Sequence, residues 1–192
     1  EPADPIGLNE YIKNRFAGDD KKQFKRIVRY MKKWKDICFK SDGNSRPPSI
    51  GITIAAVEMF TPYTEYNHLS GKIEYVDLKA LINFVKSLMD KFTIRWDAER
   101  KEYLYSIYFE LPVIPNKNIF SKMTELQMTD FYHKLNDLYS ALLKAEKDCD
   151  PHTACKLLSN YFGDKFPIPE PKESRYQVGS SSAPSSSSAL KG

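Results

Sequence analysis

The chain has 192 residues, with 29 Lys and Arg against 25 Asp and Glu for a net charge of +4, and its length suits one ordinary domain or two small ones. It is 41% hydrophobic but has no apolar segment near the roughly 20 residues that span a bilayer, which predicts neither a membrane protein nor a wholly disordered chain. Cys38, Cys149 and Cys155 form no CxxC pair, which is typical of buried structural thiols and predicts a cytoplasmic protein.

The first part of the chain predicts two helices. Residues 5–16 predict a short helix or turn that ends at Gly18, with Asp19 and Asp20 capping the next helix. Over residues 21–40, apolar side chains recur at steps of three and four. This spacing indicates an amphipathic helix that lies on a core.

Two further helices are predicted before the middle of the chain. Residues 50–60 are almost uncharged and fit either a buried strand or a central helix. Their length, the Pro-Pro-Ser start and an Ala pair favour the helix. Asp77 then caps a helix whose apolar face consists of Leu78, Leu81, Ile82, Val85, Leu88 and Met89.

The spacing of apolar residues changes in the second half of the chain. Aromatic and β-branched residues at 93–111 predict one β-hairpin. Asp150 and Pro151 supply a cap and a first-turn proline for the last of the helices that follow. Those helices are predicted at 119–123, 127–147 and 152–162.

The C-terminal segment differs from the rest in composition. Residues 179–192 are Ser-rich, and Leu190 is their only large apolar residue, so they predict a disordered tail. The sequence thus predicts a mainly α fold: a helical bundle with one hairpin over residues 1–171, followed by a flexible tail at 172–192.

Basic charge is concentrated in one helix. Residues 21–40 hold nine basic residues and one acidic residue, a charge of +8, so the other residues together carry −4. Lys21, Lys25 and Lys32 share one flank of this helix, and such a flank suits a polyphosphate, which ammonium groups neutralise without bidentate geometry. The alternative is an ordinary solvated face on a surface helix.

No catalytic motif stands out, and the most informative local pattern is a helix start. The three histidines are far apart in sequence, and Asp148 and Asp150 have the spacing of a metal-binding pair but the setting of helix caps. Pro47, Pro48 and Ser49 open the apolar helix that follows the basic one. Exposed N–H groups and a hydroxyl that face lysines suit the phosphates or base of a nucleotide.

The residues around this pattern resemble a known family. The sequence FKRIVRYMKKWKD at 24–36 and the sequence RPPSIGIT at 46–53 are similar to the second half of the bacterial CD-NTases, relatives of cGAS, DncV and oligoadenylate synthase. Later stretches agree with this resemblance: YLY at 103–105, ELP at 110–112, IFSKM at 119–123, ACKLL at 154–158 and FGDKFPIP at 162–169.

The resemblance implies a fold and an activity. It implies an oligoadenylate-synthase-type C-terminal helical domain, a nucleotide lid from an enzyme that makes cyclic oligonucleotide messengers in CBASS anti-phage defence. By position, Lys32 is similar to the family's phosphate-contacting lysine, Ser49 to its polar residue at the base or phosphate, and Lys33 is a further candidate. The implied partners are nucleoside triphosphates with magnesium and an N-terminal catalytic core.

That catalytic core is missing from this sequence. The chain begins at Glu1 with no initiator Met and no signal sequence, which we interpret as a processed start or the later part of a longer protein. Alone, the chain is therefore not expected to catalyse nucleotidyl transfer. The alternative is a non-enzymatic helical adaptor that binds a protein partner or nucleic acid through the basic helix at 21–40, although the −4 elsewhere makes nucleic acid the weaker choice.

The tail gains a function from the same resemblance. In CBASS systems with ubiquitin-ligation-like partners, the synthase ends in a flexible tail whose terminal small residue is conjugated to other molecules. The resemblance implies that Gly192 is such a conjugation site and that a ubiquitin-ligation-like enzyme is a partner. A disordered end or a cloning remnant is the alternative.

Overall fold

The computed structural model describes residues 4–39, 46–114 and 117–171. In these residues the chain is mainly helical, with two small antiparallel hairpins, and this confirms the predicted fold class. The predicted tail, with Gly192, lies outside the described residues. The elements are α1 (Pro5–Asn14), α2 (Gly18–Cys38), α3 (Ser49–Met59), β1 (Thr64–Asn67), β2 (Lys72–Tyr75), α4 (Asp77–Asp90), β3 (Thr93–Asp97), β4 (Glu102–Ser106), α5 (Glu125–Lys147) and α6 (Pro151–Phe162).

Helices α2 and α3 form the centre of the fold. The predicted stripe of α2 is buried, from Phe24 through Met31 to Trp34, and α2 packs against α3, α4 and α6. Every residue of α3 from 51 to 57 is buried, as expected for a helix that is apolar on all sides. The structure thus confirms a central helix here rather than a strand.

The helix ends agree only in part with the sequence predictions. Asp150 accepts hydrogen bonds from the backbone N–H groups of His152 and Thr153, and Pro151 begins α6, as predicted. The predicted caps of α2 are wrong, because α2 already begins at Gly18 and has no side-chain cap. The predicted cap Asp77 is instead the first residue of α4.

Asp77 is part of a polar network that joins α2 to α4. Its carboxylate accepts hydrogen bonds from Nε and a terminal nitrogen of Arg26, at 2.5 and 2.9 Å, and from the side-chain amide of Gln23 at 3.2 Å. The fully buried Gln23 also bonds both backbone groups of Tyr63, just before β1. The buried polar groups of Gln23 thus bond to partners more than 35 residues away in sequence. These bonds hold the start of β1 against the core.

The structure contains one hairpin more than predicted. β3 and β4 pair antiparallel with Ile94 opposite Tyr105, which confirms the hairpin that begins at residue 93, although its second strand ends at Ser106. The pairing of β1 with β2 was missed. The predicted helix at 119–123 is wrong: these residues form turns, and the Asn118 side chain accepts the backbone N–H of Phe120.

The three cysteines are free thiols, as predicted. Cys38 and Cys155 are partly buried, and burial raises the pKa of the Cys38 thiol. Cys149 is exposed, so the prediction of a buried thiol is wrong there. Its position between α5 and α6 explains the difference, because such connections run over the surface.

Gly51 is required by the close approach of α3 to the segment after β4. A methyl group added at Gly51 would lie 2.6 Å from the ring of Phe120, so we expect Gly51→Ala to lower the free energy of unfolding by about 1–3 kcal/mol in urea titrations. Alanine otherwise favours helices over glycine by about 1 kcal/mol, so a stabilised variant would contradict the packing argument. In a Phe120→Leu background, the cost of Gly51→Ala should fall.

Candidate phosphate-binding cleft

A cleft of about 460 Å³ runs along the basic flank of α2. Residues of the flank repeat at steps of four and three, so successive turns of α2 present cations on one side. The structure confirms that Lys21, Lys25 and Lys32 lie together. The cleft, which α1 and α3 complete, is lined by Ile12, Lys13, Lys21, Phe24, Lys25, Val28, Arg29, Lys32 and Thr53.

Three cations of the cleft have no hydrogen-bond or ion-pair partner within the described part of the chain. The ammonium of Lys21 is engaged, because it donates to the backbone carbonyl of Lys13 at 2.7 Å. Lys25, Arg29 and Lys32 make no such contact there. Their charges therefore face the cleft without compensation, an arrangement that attracts an anion.

The candidate Ser49 lies beside the cleft, at the start of α3. Ser49 is exposed, and its carbonyl accepts the hydroxyl of Thr53, which lines the cleft. Among the described residues, no side chain caps the start of α3, so the N–H groups of its first turn have no side-chain partner there. The structure thus places Ser49 one helical turn from Thr53, which lines the same cleft as Lys32, although Ser49 itself is not part of the cleft lining.

Lys35 is a site residue that the sequence analysis missed. It is only 5% exposed, and its Nζ donates to the Oγ of Ser49 at 2.5 Å. The same Nζ lies 3.3 Å from Asp36, whose carboxylate also pairs with Arg46. Lys35 and Arg46 thus share one carboxylate, so two cations near the start of α3 are balanced by a single negative charge.

Burial is the main cause of a lowered pKa at both Lys32 and Lys35, and a neighbouring cation adds to it in each case. Burial, together with the Lys35 ammonium, lowers the pKa of Lys32, and burial, together with Arg46, lowers the pKa of Lys35. The protonated form of each is therefore penalised in the protein alone. An anion at this site would offset the penalty, so anion binding is linked to proton uptake at alkaline pH.

The structure does not bring Lys33 into this site. Lys33 lines a separate groove on another side of α2, with Ile37, Gly163 and Lys165. One residue along a helix turns the side chain by about 100°, so neighbours in sequence face different surroundings. Lys33 is therefore a suitable control for experiments on the cleft.

The remaining charge of α2 is not one continuous basic face. Lys22 pairs with Asp19, and Arg26 pairs with Asp77. Because these cations are paired and Lys33 faces another groove, the cations of α2 that line the cleft are limited to Lys21, Lys25, Arg29 and Lys32. The site is thus compact rather than extended.

The sequence contains a pattern that indicates burial of Lys35. Val28, Met31 and Cys38 belong to the apolar stripe of α2, and Lys35 occupies the position between Met31 and Cys38 at steps of four and three. A lysine within an apolar stripe is expected to be buried, and buried lysines are rare unless they have a partner. The partner, Ser49, lies across a loop and is visible only in the fold.

The sequence matches no protein-family model and no curated protein. Within residues 4–39, 46–114 and 117–171, no helix combines the length and apolar character that crossing a membrane requires. In the same residues, no three His, Cys, Asp or Glu side chains are grouped to hold a metal ion.

Proposed function

We propose that this chain is the C-terminal, nucleotide-contacting part of a nucleotidyltransferase that makes cyclic oligonucleotide messengers from nucleoside triphosphates. The observation that carries the proposal is the cleft whose cations Lys25, Arg29 and Lys32 have no partner among the described residues, beside the helix start where Lys35 contacts Ser49. Ammonium groups, a hydroxyl and free N–H groups are together the donors that a triphosphate needs. The resemblance described above supplies the reaction class and the role in anti-phage defence.

The catalytic groups are assigned to residues outside this sequence. Magnesium that accompanies a nucleoside triphosphate is held by carboxylates, and the resemblance implies that these belong to an N-terminal catalytic core. The chain's own residues would bind the triphosphate and orient it toward the N-terminal catalytic core. Cytoplasmic location, conjugation of Gly192 and a ubiquitin-ligation-like partner belong to the same proposal.

The compactness of the site favours a nucleotide over the alternative of an adaptor that binds nucleic acid. A duplex partner needs cations spread along its backbone. Here Lys22 and Arg26 are paired with acidic side chains and Lys33 faces away, which leaves a cluster the size of a few phosphates.

Removal of Lys32 tests the proposal. We expect Lys32→Ala to weaken binding of ATP to the chain by about 1.5–3 kcal/mol, because one charge-assisted contact to phosphate is lost. Isothermal titration calorimetry at low salt measures the effect. Lys33→Ala is the matched control, with the same charge removed from the neighbouring residue, and it should bind ATP as the wild type does. Equal affinities for the two variants would refute the proposal.

A further inference from the structure

We infer that Lys35 is a positioning residue of the phosphate site: its ammonium fixes the Ser49 hydroxyl so that the hydroxyl proton is donated to the ligand. This inference rests on the proposed function. It assigns a role to a buried lysine that faces the core side of the site and not the cleft.

The direction of the hydrogen bond follows from the chemistry of the two groups. A lysine ammonium has three N–H donors and no lone pair, so in the contact between Lys35 and Ser49 the serine oxygen is the acceptor. A serine hydroxyl has one proton of its own to donate. Among the described residues, no acceptor takes the Ser49 proton, so it remains available to a ligand at the start of α3.

The surroundings of Lys35 restrict its ammonium and so keep the Ser49 hydroxyl in this orientation. Burial restricts the Lys35 side chain, which belongs to the buried face of α2 and whose ammonium donates to Ser49. Asp36 at 3.3 Å holds the same ammonium, and Arg46 in turn holds Asp36. The hydroxyl is thus oriented before the ligand arrives, which lowers the entropy cost of binding.

The proposal also explains why an amine is buried here. An isolated buried ammonium is costly, and both burial and Arg46 lower the pKa of Lys35. An apolar residue would fill the same space without that cost. The hydrogen bond to Ser49 is what an apolar residue cannot provide.

Two substitutions of Lys35 separate orientation from charge. Lys35→Gln removes the charge but keeps an N–H donor for Ser49, whereas Lys35→Met removes both. Calorimetry with inorganic tripolyphosphate measures the affinity of each variant. Lys35→Met should bind about fivefold more weakly than Lys35→Gln, because one neutral hydrogen bond contributes about 1 kcal/mol. In a Ser49→Ala background, the two variants should bind alike. Lys35→Leu replaces Lys35→Met if thermal unfolding shows that the latter does not fold.

The outcomes distinguish this inference from the proposed function. If Lys32→Ala weakens tripolyphosphate binding while Lys35→Met and Lys35→Gln remain equal, the positioning role is overturned and the proposed function stands. If Lys35→Met still binds tripolyphosphate more weakly than Lys35→Gln in the Ser49→Ala background, Lys35 acts by packing or by direct contact, and the inference is also overturned. If the wild-type chain binds no tripolyphosphate, both fail.

Discussion

Replacement of Phe131 by alanine is expected to lower the free energy of unfolding by about 3–5 kcal/mol, enough to unfold a large fraction of a marginally stable domain. Phe131 is fully buried and is the hub of an aromatic cluster between α2, α5 and the segments that flank the second hairpin. Its ring lies within 6.2 Å of four others, centroid to centroid: Trp34, Phe39, Phe92 and Phe120.

The loss of stability is large because the residues around Phe131 cannot move to fill the cavity that alanine would leave. The neighbours of Phe131 come from segments far apart in sequence, so one movement cannot fill the cavity, and a residual cavity adds to the transfer cost. Urea denaturation followed by circular dichroism measures the change. Tyr108→Ala, which truncates a ring that is 56% exposed, is the control and should change stability by less than about 1 kcal/mol. Similar losses for the two variants would mean that Phe131 does not organise the core.

Helical periodicity predicted much of the fold because burial of one stripe dictates the spacing of apolar residues. α2, α4 and α6 follow this rule, and α3 was distinguished from a strand by length and a proline start. The hairpin of β1 and β2 escaped prediction because its strands are almost wholly exposed, and their sequences carry no alternation toward a core. Tertiary contacts hold it instead: Gln23 bonds Tyr63, and the Tyr75 hydroxyl donates to Asp20 at 2.7 Å.

The site could be predicted only where one helix carries it. Lys21, Lys25 and Lys32 share a flank by spacing alone, and the structure confirms this. The contact of Lys35 with Ser49 depends on how α3 packs against α2, which periodicity does not specify. Lys33 is a further candidate only by its position next to Lys32 in the stretch that resembles the family, and neighbours on a helix face different surroundings, as the separate groove of Lys33 shows.

Simultaneous removal of the three unpaired cations in the cleft, as Lys25→Ala, Arg29→Ala and Lys32→Ala, is expected to weaken tripolyphosphate binding by at least about a hundredfold. Each lost contact to a charged oxygen costs about 1.5 kcal/mol or more, and tenfold in affinity corresponds to about 1.4 kcal/mol, so a hundredfold loss allows for losses that do not add fully. Calorimetry at low salt measures the change. A second triple variant, Lys22→Ala, Lys33→Ala and Lys165→Ala, removes the same charge from surfaces outside the cleft.

Comparison of the two triple variants separates local contacts from the overall field of the protein. Both lower the net charge by three, so any long-range attraction for the anion falls similarly in each, and salt screens that part strongly. Only the cleft variant loses groups that touch the ligand. The difference between the variants should therefore persist when the salt concentration is raised, whereas equal weakening at every salt concentration would show that the anion senses net charge and that the cleft is not its site.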